Sequence, residues 1–194
     1  EVIFNGAITS QLHRQGPDDV VVSALPRPRV YMNVLMTGMM MFGTKLDLHK
    51  PLDPAIFMQD FAVHKAMIFD GIPAIYMFML NNPALADADL NNLKCCYVGG
   101  QTIQVATMAA VEKELNVPLS ELWGFTEIAG FGALHPLYGK NKHGSTGCAI
   151  PYCELRIADV EDGSITMPRG EVGEVIVWGP TVMMGYFSDE EKPA

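Results

Sequence analysis

Through the first 140 residues, short apolar runs alternate with segments of helical period, and few folds accommodate that order. Residues 20–25, 66–69 and 94–98 are apolar almost throughout, the pattern of strands covered on both faces. Between them lie helical stretches. Asp53 and Pro54 form an N-cap and first-turn pair, followed by Phe57, Phe61 and His64 on one face. Residues 72–80 carry Pro73 in the first turn and are apolar all round, which predicts a buried helix. Residues 102–116 place Val105, Met108, Val111 and Leu115 on one stripe, with Glu112, Lys113 and Glu114 mostly outside it. The GMMMFG segment within residues 30–43 predicts a further buried helix, too short for a membrane span.

Beyond Gly139 the helical period disappears. Cys153, Leu155 and Ile157 alternate with Glu154 and Arg156, as in a half-buried strand, and Glu174–Trp178 is a second strand candidate. Glu161-Asp162-Gly163-Ser164 between them is turn chemistry. The expected fold class is α/β: a mainly parallel sheet flanked by helices, then an antiparallel, barrel-like β segment. Residues 1–142 would form the α/β part and residues 143–194 the start of the β part. The last residues, SDEEKPA, finish no element, so the sequence reads as a piece of something longer.

Composition narrows the partners. Thirteen Lys and Arg against 22 Asp and Glu give a formal net charge of −9 with no basic run, which argues against a nucleic-acid backbone. Nucleotides remain open, because loops bind phosphate through backbone N–H groups and Mg²⁺. Four cysteines make no disulfide scaffold at 194 residues, and the adjacent Cys95 and Cys96 are expected to be buried thiols. The five histidines form no HxxxH or HxH pair, so no metal framework is expected from them. EVIFNGAITS has neither a basic leader nor a cleavage site, which makes a cytoplasmic setting the expectation.

Four segments could carry chemistry. Val98-Gly99-Gly100-Gln101-Thr102 runs from a strand into paired glycines and a helix, where backbone can approach a ligand closely or simply turn tightly. Trp123-Gly124-Phe125-Thr126-Glu127 offers an aromatic for stacking, a glycine, a hydroxyl for a phosphate and a carboxylate for Mg²⁺; it also fits a core Trp and Phe beside a surface Glu. Gly144-Ser145-Thr146-Gly147 lacks the Lys and the following helix of a P-loop, so a turn into a strand is the better reading. The stretch from Gly170 through Phe187 is turn, strand and aromatic loop without an obvious catalytic group.

Together and in this order, these segments resemble the adenylate-forming superfamily, which includes acyl-CoA synthetases, 4-coumarate:CoA ligases and peptide-synthetase adenylation domains. WGFTE is similar to that family's YGxTE, VGGQT to SGGAP, and GSTG to a GSVG-like turn. GEVGEVIVWGPTVMMGYFSDEEKPA is similar to GE(I/V)xVxGPxVMxGYxxxPExT, and ALPRPRVYMNV to LPxFHxYxxN. The resemblance implies an ATP-dependent carboxylic acid:CoA ligase that forms an acyl-adenylate and then passes the acyl group to coenzyme A. An adenylation domain loading a carrier protein, or a catalytically silent binding homologue, is the alternative.

Carried over by position, the resemblance implies that Trp123 stacks on adenine, with Gly99, Gly100 and Gln101 lining its pocket and Gly124 admitting close backbone approach. Thr126 would bond the α-phosphate of ATP, or of AMP after the first step, and Glu127 would hold Mg²⁺; these two are the expected catalytic residues. Tyr31, Met32, Met36, Gly71, Ile72 and Gly130 would border the acid. Arg29 stands where the family has a His, a bulkier and permanently charged replacement. The family's Lys-bearing phosphate loop, ribose-binding Asp and small C-terminal domain fall outside these residues. The resemblance therefore implies that residues 1–194 alone do not adenylate at a useful rate.

Overall fold

A computed structural model describes residues 1–49, 54–136 and 138–187. Helices alternate with strands: α1 Val2–Leu12, β1 Val20–Ser23, α2 Val30–Phe42, β2 Lys45–Leu48, α3 Pro54–Val63, β3 Ile68–Gly71, α4 Pro73–Leu80, β4 Cys95–Val98, α5 Val105–Leu115 and β5 Leu119–Glu121. The strands β1 to β5 form one parallel sheet in the order β2-β1-β3-β4-β5.

The continuous apolar character of the central strands follows from burial of both faces. Val22, Phe69, Cys96 and Val98 pack with Phe61, Tyr76, Met79, Met108 and Val111 from α3, α4 and α5. Their neighbours along the strands, Val21, Ile68, Cys95 and Tyr97, face the other way, onto Ile8, Met32, Val34 and Leu35 from α1 and α2. Successive side chains on a strand point to opposite faces, so two hydrophobic cores grow from one sheet. Cys95 and Cys96 are buried as expected, and burial pushes the Cys95 thiol up to about 12.

Helix α1 was not anticipated. Its buried face is Asn5, Gly6, Ile8, Thr9 and Ser10, in which Ile8 is the one large apolar side chain and the rest are small or polar. Smallness is what the packing needs, since a Cβ on Gly6 would lie 2.8 Å from Thr37 Cγ2 of α2, and one on Gly38 would collide with Ser10.

Four helical segments are less buried than their sequences suggested. Met77 and Phe78 of α4 are about half exposed, so that helix presents one face rather than all of them to the core. Met40 and Met41 at the end of α2 are likewise exposed, and Gly43 closes the helix in the left-handed conformation. On α5 the stripe holds for Met108, Val111 and Leu115, whereas Val105 at the helix start is exposed. On α3, Phe61 is buried but His64 is not; Asp53 and the Phe57 side chain lie outside the described residues.

Antiparallel structure follows. β6 Trp123–Phe125, β7 Gly130–Leu134 and β8 Cys148–Ala149 make a three-stranded sheet, and β9 Glu154–Ala158 pairs with β10 Glu174–Trp178. The Gly144–Gly147 segment turns into β8, both glycines having positive φ. Asp162 makes the expected turn, accepting from the Ser164 backbone. The alternation read for β9 is weaker than expected, because Ile157 is exposed.

Two buried ionisable groups give stability a testable dependence on pH. Asp70 in β3 is raised from 3.8 to about 7 by burial, although the Tyr31 hydroxyl, donating to Oδ1 over 2.8 Å, pulls it down. His13 stacks on Tyr97 with ring centroids 3.7 Å apart, and burial lowers it from 6.5 to about 3. Between pH 3.8 and 6.5 the two oppose each other. The unfolded chain releases the Asp70 proton that the folded chain keeps, so Asp70 makes stability fall as pH rises. The unfolded chain protonates His13 while the folded chain does not, so His13 makes stability rise with pH. Each full proton is worth about 1.4 kcal/mol per pH unit. Asp70→Asn is therefore expected to tilt the curve upward with pH, and His13→Phe to tilt it downward. Urea unfolding across that window checks both; an unchanged slope in either variant contradicts the assignment.

Candidate active site

In an open α/β sheet the carboxyl ends of the strands face the ligand, because the loops that leave them are free to vary. A cavity of about 530 Å³ lies there. Leu25 follows β1, Ile72 follows β3, Gly100 and Gln101 follow β4, and Leu122 follows β5; all five line it. Arg29, the N-cap of α2, and Tyr31 in its first turn close one side. Gly124, Thr126, Gly130 and Phe131 close the other. The walls mix apolar side chains with polar ones, Arg29, Gln101 and Thr126 among them, beside the glycine turns.

Gly100 adopts φ +80°, which favours glycine and carries the chain sharply away from β4. Gly124 is constrained by closeness instead: a Cβ there would run into the Gly130 carbonyl and lie 2.7 Å from Phe131 Cα across the β6–β7 pair. Alternation along β6 puts Gly124 toward the cavity and leaves Trp123 and Phe125 on the opposite face, their rings edge-on at 5.2 Å. Trp123 is half-buried and packs against Gly132; it does not line the cavity.

A one-turn 3₁₀ segment, Thr126–Ile128, carries the two polar groups. Thr126 is exposed on the cavity wall. Glu127 sits just outside it and accepts a 2.6 Å hydrogen bond from the Tyr186 hydroxyl at Oε1. That bond and the residue's own backbone N–H hold its carboxyl below the usual carboxylate range. An ionised, accessible carboxylate is a hard oxygen donor suited to Mg²⁺, so the residues present fit that ion. The Met183 N–H also donates to the Glu127 carbonyl over 2.8 Å, tying the segment around Tyr186 to this turn twice.

Asn5 is the positioning residue that sequence reasoning missed. Its Nδ2 donates to the carbonyls of Ile128 (3.1 Å) and Phe131 (2.9 Å), and its Oδ1 accepts from the Phe131 N–H at 3.1 Å. One buried amide thus fixes both ends of the chain reversal that follows Glu127. Gly130, inside that reversal, has φ +148° and leaves no room for a Cβ against Val34 and Asn5. A lone Asn more than 120 residues away in sequence carries no pattern that would have revealed the contact.

The expected site residues fall into three groups. Gly100, Gln101, Gly124, Thr126, Tyr31, Ile72 and Gly130 converge on the one cavity. Trp123 and Glu127 border it from the β6 side without lining it. Gly99, Gly71, Met32 and Met36 do not reach it: Gly99 packs under Leu122, Gly71 against Tyr76, Met32 is fully buried, and Met36 packs beside that core.

Strand ends of a parallel sheet and the glycine turns that leave them surround one cleft, the arrangement of an α/β protein whose ligand site lies at the carboxyl edge of its sheet. The model of the AMP-binding enzyme family matches residues 2–187, and the chain belongs to that family, the adenylate-forming enzymes. It is 33% identical over 175 residues to a long-chain-fatty-acid–CoA ligase of Bacillus subtilis, covering 90% of this chain and 31% of that one. It is 29% identical over 193 residues to an indoleacetate–CoA ligase of Aromatoleum aromaticum, covering 98% and 37%. The ATP-bound structure of MatB from Rhodopseudomonas palustris superposes with a TM-score of 0.87 at 24% identity over 98% of this chain and 37% of that one, which establishes a shared fold. The chain spans about a third of the length of the curated relatives it matches. No helix among the described residues is long and apolar enough to cross a membrane.

Proposed function

We propose that the protein is an ATP-dependent carboxylic acid:CoA ligase that works through an acyl-adenylate. The observation that carries this reading is the convergence of Gly100, Gln101, Gly124, Thr126 and Gly130 on one cavity, with the Glu127 carboxylate at its edge. Its ligase relatives support it.

In the first step an acid's carboxylate oxygen attacks the α-phosphorus of ATP and pyrophosphate leaves. In the second the thiol of coenzyme A takes the acyl group and AMP leaves. Neither step calls for a protein nucleophile, so the demand on the chain is alignment and charge neutralisation. We assign Gly100 and Gln101 to the turn that borders adenine, with Trp123, on the opposite face of β6, packed against Gly132 behind the cavity. Thr126 donates to the α-phosphate. Glu127 holds Mg²⁺, which when bound neutralises charge on the phosphates. The acid lies against Leu25, Ile72, Leu122 and Phe131, whose apolar surface favours an apolar tail. Arg29 at the rim is placed to meet an anionic group of either substrate.

The full-length protein tests this reading. Acid-dependent exchange of pyrophosphate into ATP, followed by AMP release only when coenzyme A is added, is the expected result. AMP release that requires a carrier protein instead would move the assignment to an adenylation domain. ATP binding without exchange for any acid would make it a silent binding homologue.

A further inference from the structure

Edge strand β2 and helix α3 carry a second cluster of ionisable groups that the proposed reaction does not use. Asp47 lies in the edge strand β2, and His49 follows two residues later. The His49 N–H still bonds the Ser23 carbonyl of β1, so both residues keep strand geometry and share one face. Asp60 lies in the last turn of α3, and His64 one turn on, its N–H still bonded to the Asp60 carbonyl. The four side chains meet between strand and helix.

Asp47, Asp60 and His64 have the spacing of ligands around one ion, and His49 touches both carboxylates. His49 Nε2 is 3.0 Å from Asp47 Oδ2 and 3.0 Å from Asp60 Oδ2. His64 Nε2 is 3.6 Å from Asp47 Oδ2 and 3.8 Å from Asp60 Oδ1. Ligand atoms of Asp47, Asp60 and His64 all lie within 4.8 Å of one another. A tetrahedral zinc ion with bonds of about 2.0–2.2 Å to nitrogen and oxygen separates its ligand atoms by roughly 3.3–3.5 Å, inside the range seen here. A ring nitrogen carries at most one hydrogen, so His49 Nε2 cannot direct a full hydrogen bond at two carboxylates on different elements. One cation between them would satisfy both. His49, Asp47 and Asp60 are largely sheltered, and only His64 is about half exposed, which leaves one open side for entry.

We infer that Asp47, His49, Asp60 and His64 form a binding site for a divalent transition ion of the zinc class, which clamps edge strand β2 to α3. Two imidazoles with two carboxylates suit zinc, nickel or copper and disfavour magnesium and calcium, which prefer oxygen alone. The donor set differs from Glu127, a single carboxylate at the other site. The inference does not rest on the ligase reading.

The test is zinc titration by calorimetry on tag-free, chelator-treated full-length protein without nucleotide, with Co²⁺ absorption as a second probe. The expected result is one ion per chain, a tetrahedral Co²⁺ spectrum, no displacement by excess Mg²⁺, and a raised Tm. His64→Ala and the isosteric Asp60→Asn should each weaken zinc binding at least about tenfold, since even outer-shell changes at such sites cost that much. Thermal unfolding of the zinc-free variants confirms that they fold. The absence of stoichiometric zinc binding, or binding that both variants leave unchanged, overturns the site and leaves a cluster held by hydrogen bonds alone.

Discussion

Glu127→Gln is expected to lower the rate of acid-dependent pyrophosphate exchange at least about 100-fold while leaving the fold intact, because a metal's charge stabilisation is worth several kcal/mol and each 1.4 kcal/mol is about tenfold. The carboxylate is exposed and held ionised by Tyr186 and its own N–H. Gln preserves shape and can still accept from the Tyr186 hydroxyl, but it is a neutral and poorer donor for Mg²⁺. The loss should shrink partly as Mg²⁺ concentration rises, with the urea midpoint unchanged. Tyr186→Phe, which removes the bond and keeps the carboxylate, should cost less. Equal exchange rates in Glu127→Gln and the parent protein would remove Glu127 from the site.

Asn5→Ala is expected to destabilise the protein by about 3–5 kcal/mol, because it strands two carbonyls and one N–H in a buried setting where each unpaired group costs about 1–3 kcal/mol. The groups are those of Ile128 and Phe131, which hold the reversal carrying Thr126 and Glu127 next to the cavity. Asn5→Asp is the informative companion. A carboxylate can still accept from the Phe131 N–H, but it faces the two carbonyls without a proton to donate, so it should be no better than Ala. Chemical denaturation reads the loss. Where enough folded protein remains, exchange kinetics should show kcat falling more than KM rises, since the turn is displaced rather than the apolar wall. Full stability in Asn5→Asp would contradict the amide's role as donor.

The parts legible in the sequence were those where burial is apolar and local. β1, β3 and β4 stand out because they are covered on both faces, and α5 because Met108, Val111 and Leu115 recur at helical spacing. The Gly100–Gln101 and Thr126–Glu127 segments were legible because each sets a glycine turn or a polar cluster directly after a short strand, where an α/β sheet opens toward its ligand. α1 was hidden because its buried face is built from Asn5, Gly6, Thr9 and Ser10, chosen for closeness to α2 and for hydrogen bonding. β2 was hidden because an edge strand is half-exposed and KLDL has no continuous apolar run. Met32 and Met36 were placed at the acid by position alone. Helix phase decides the matter, turning Tyr31 to the cavity and Met32 into the core. The Asp47–His49–Asp60–His64 cluster escaped a search for paired histidines because its pairs are mixed, one spaced for a strand and one for a helix turn.

The most direct measurement of the central claim is pyrophosphate exchange into ATP by the full-length protein across short, medium, long and aromatic carboxylic acids. Exchange that depends on one class of apolar acid, and that collapses in Glu127→Gln, is the predicted result. It would establish acyl-adenylate formation at the cavity bounded by Gly100, Gly124 and Thr126. ATP binding with no exchange for any acid would contradict it, and would mean that the strand-end cleft binds nucleotide without activating a carboxylate.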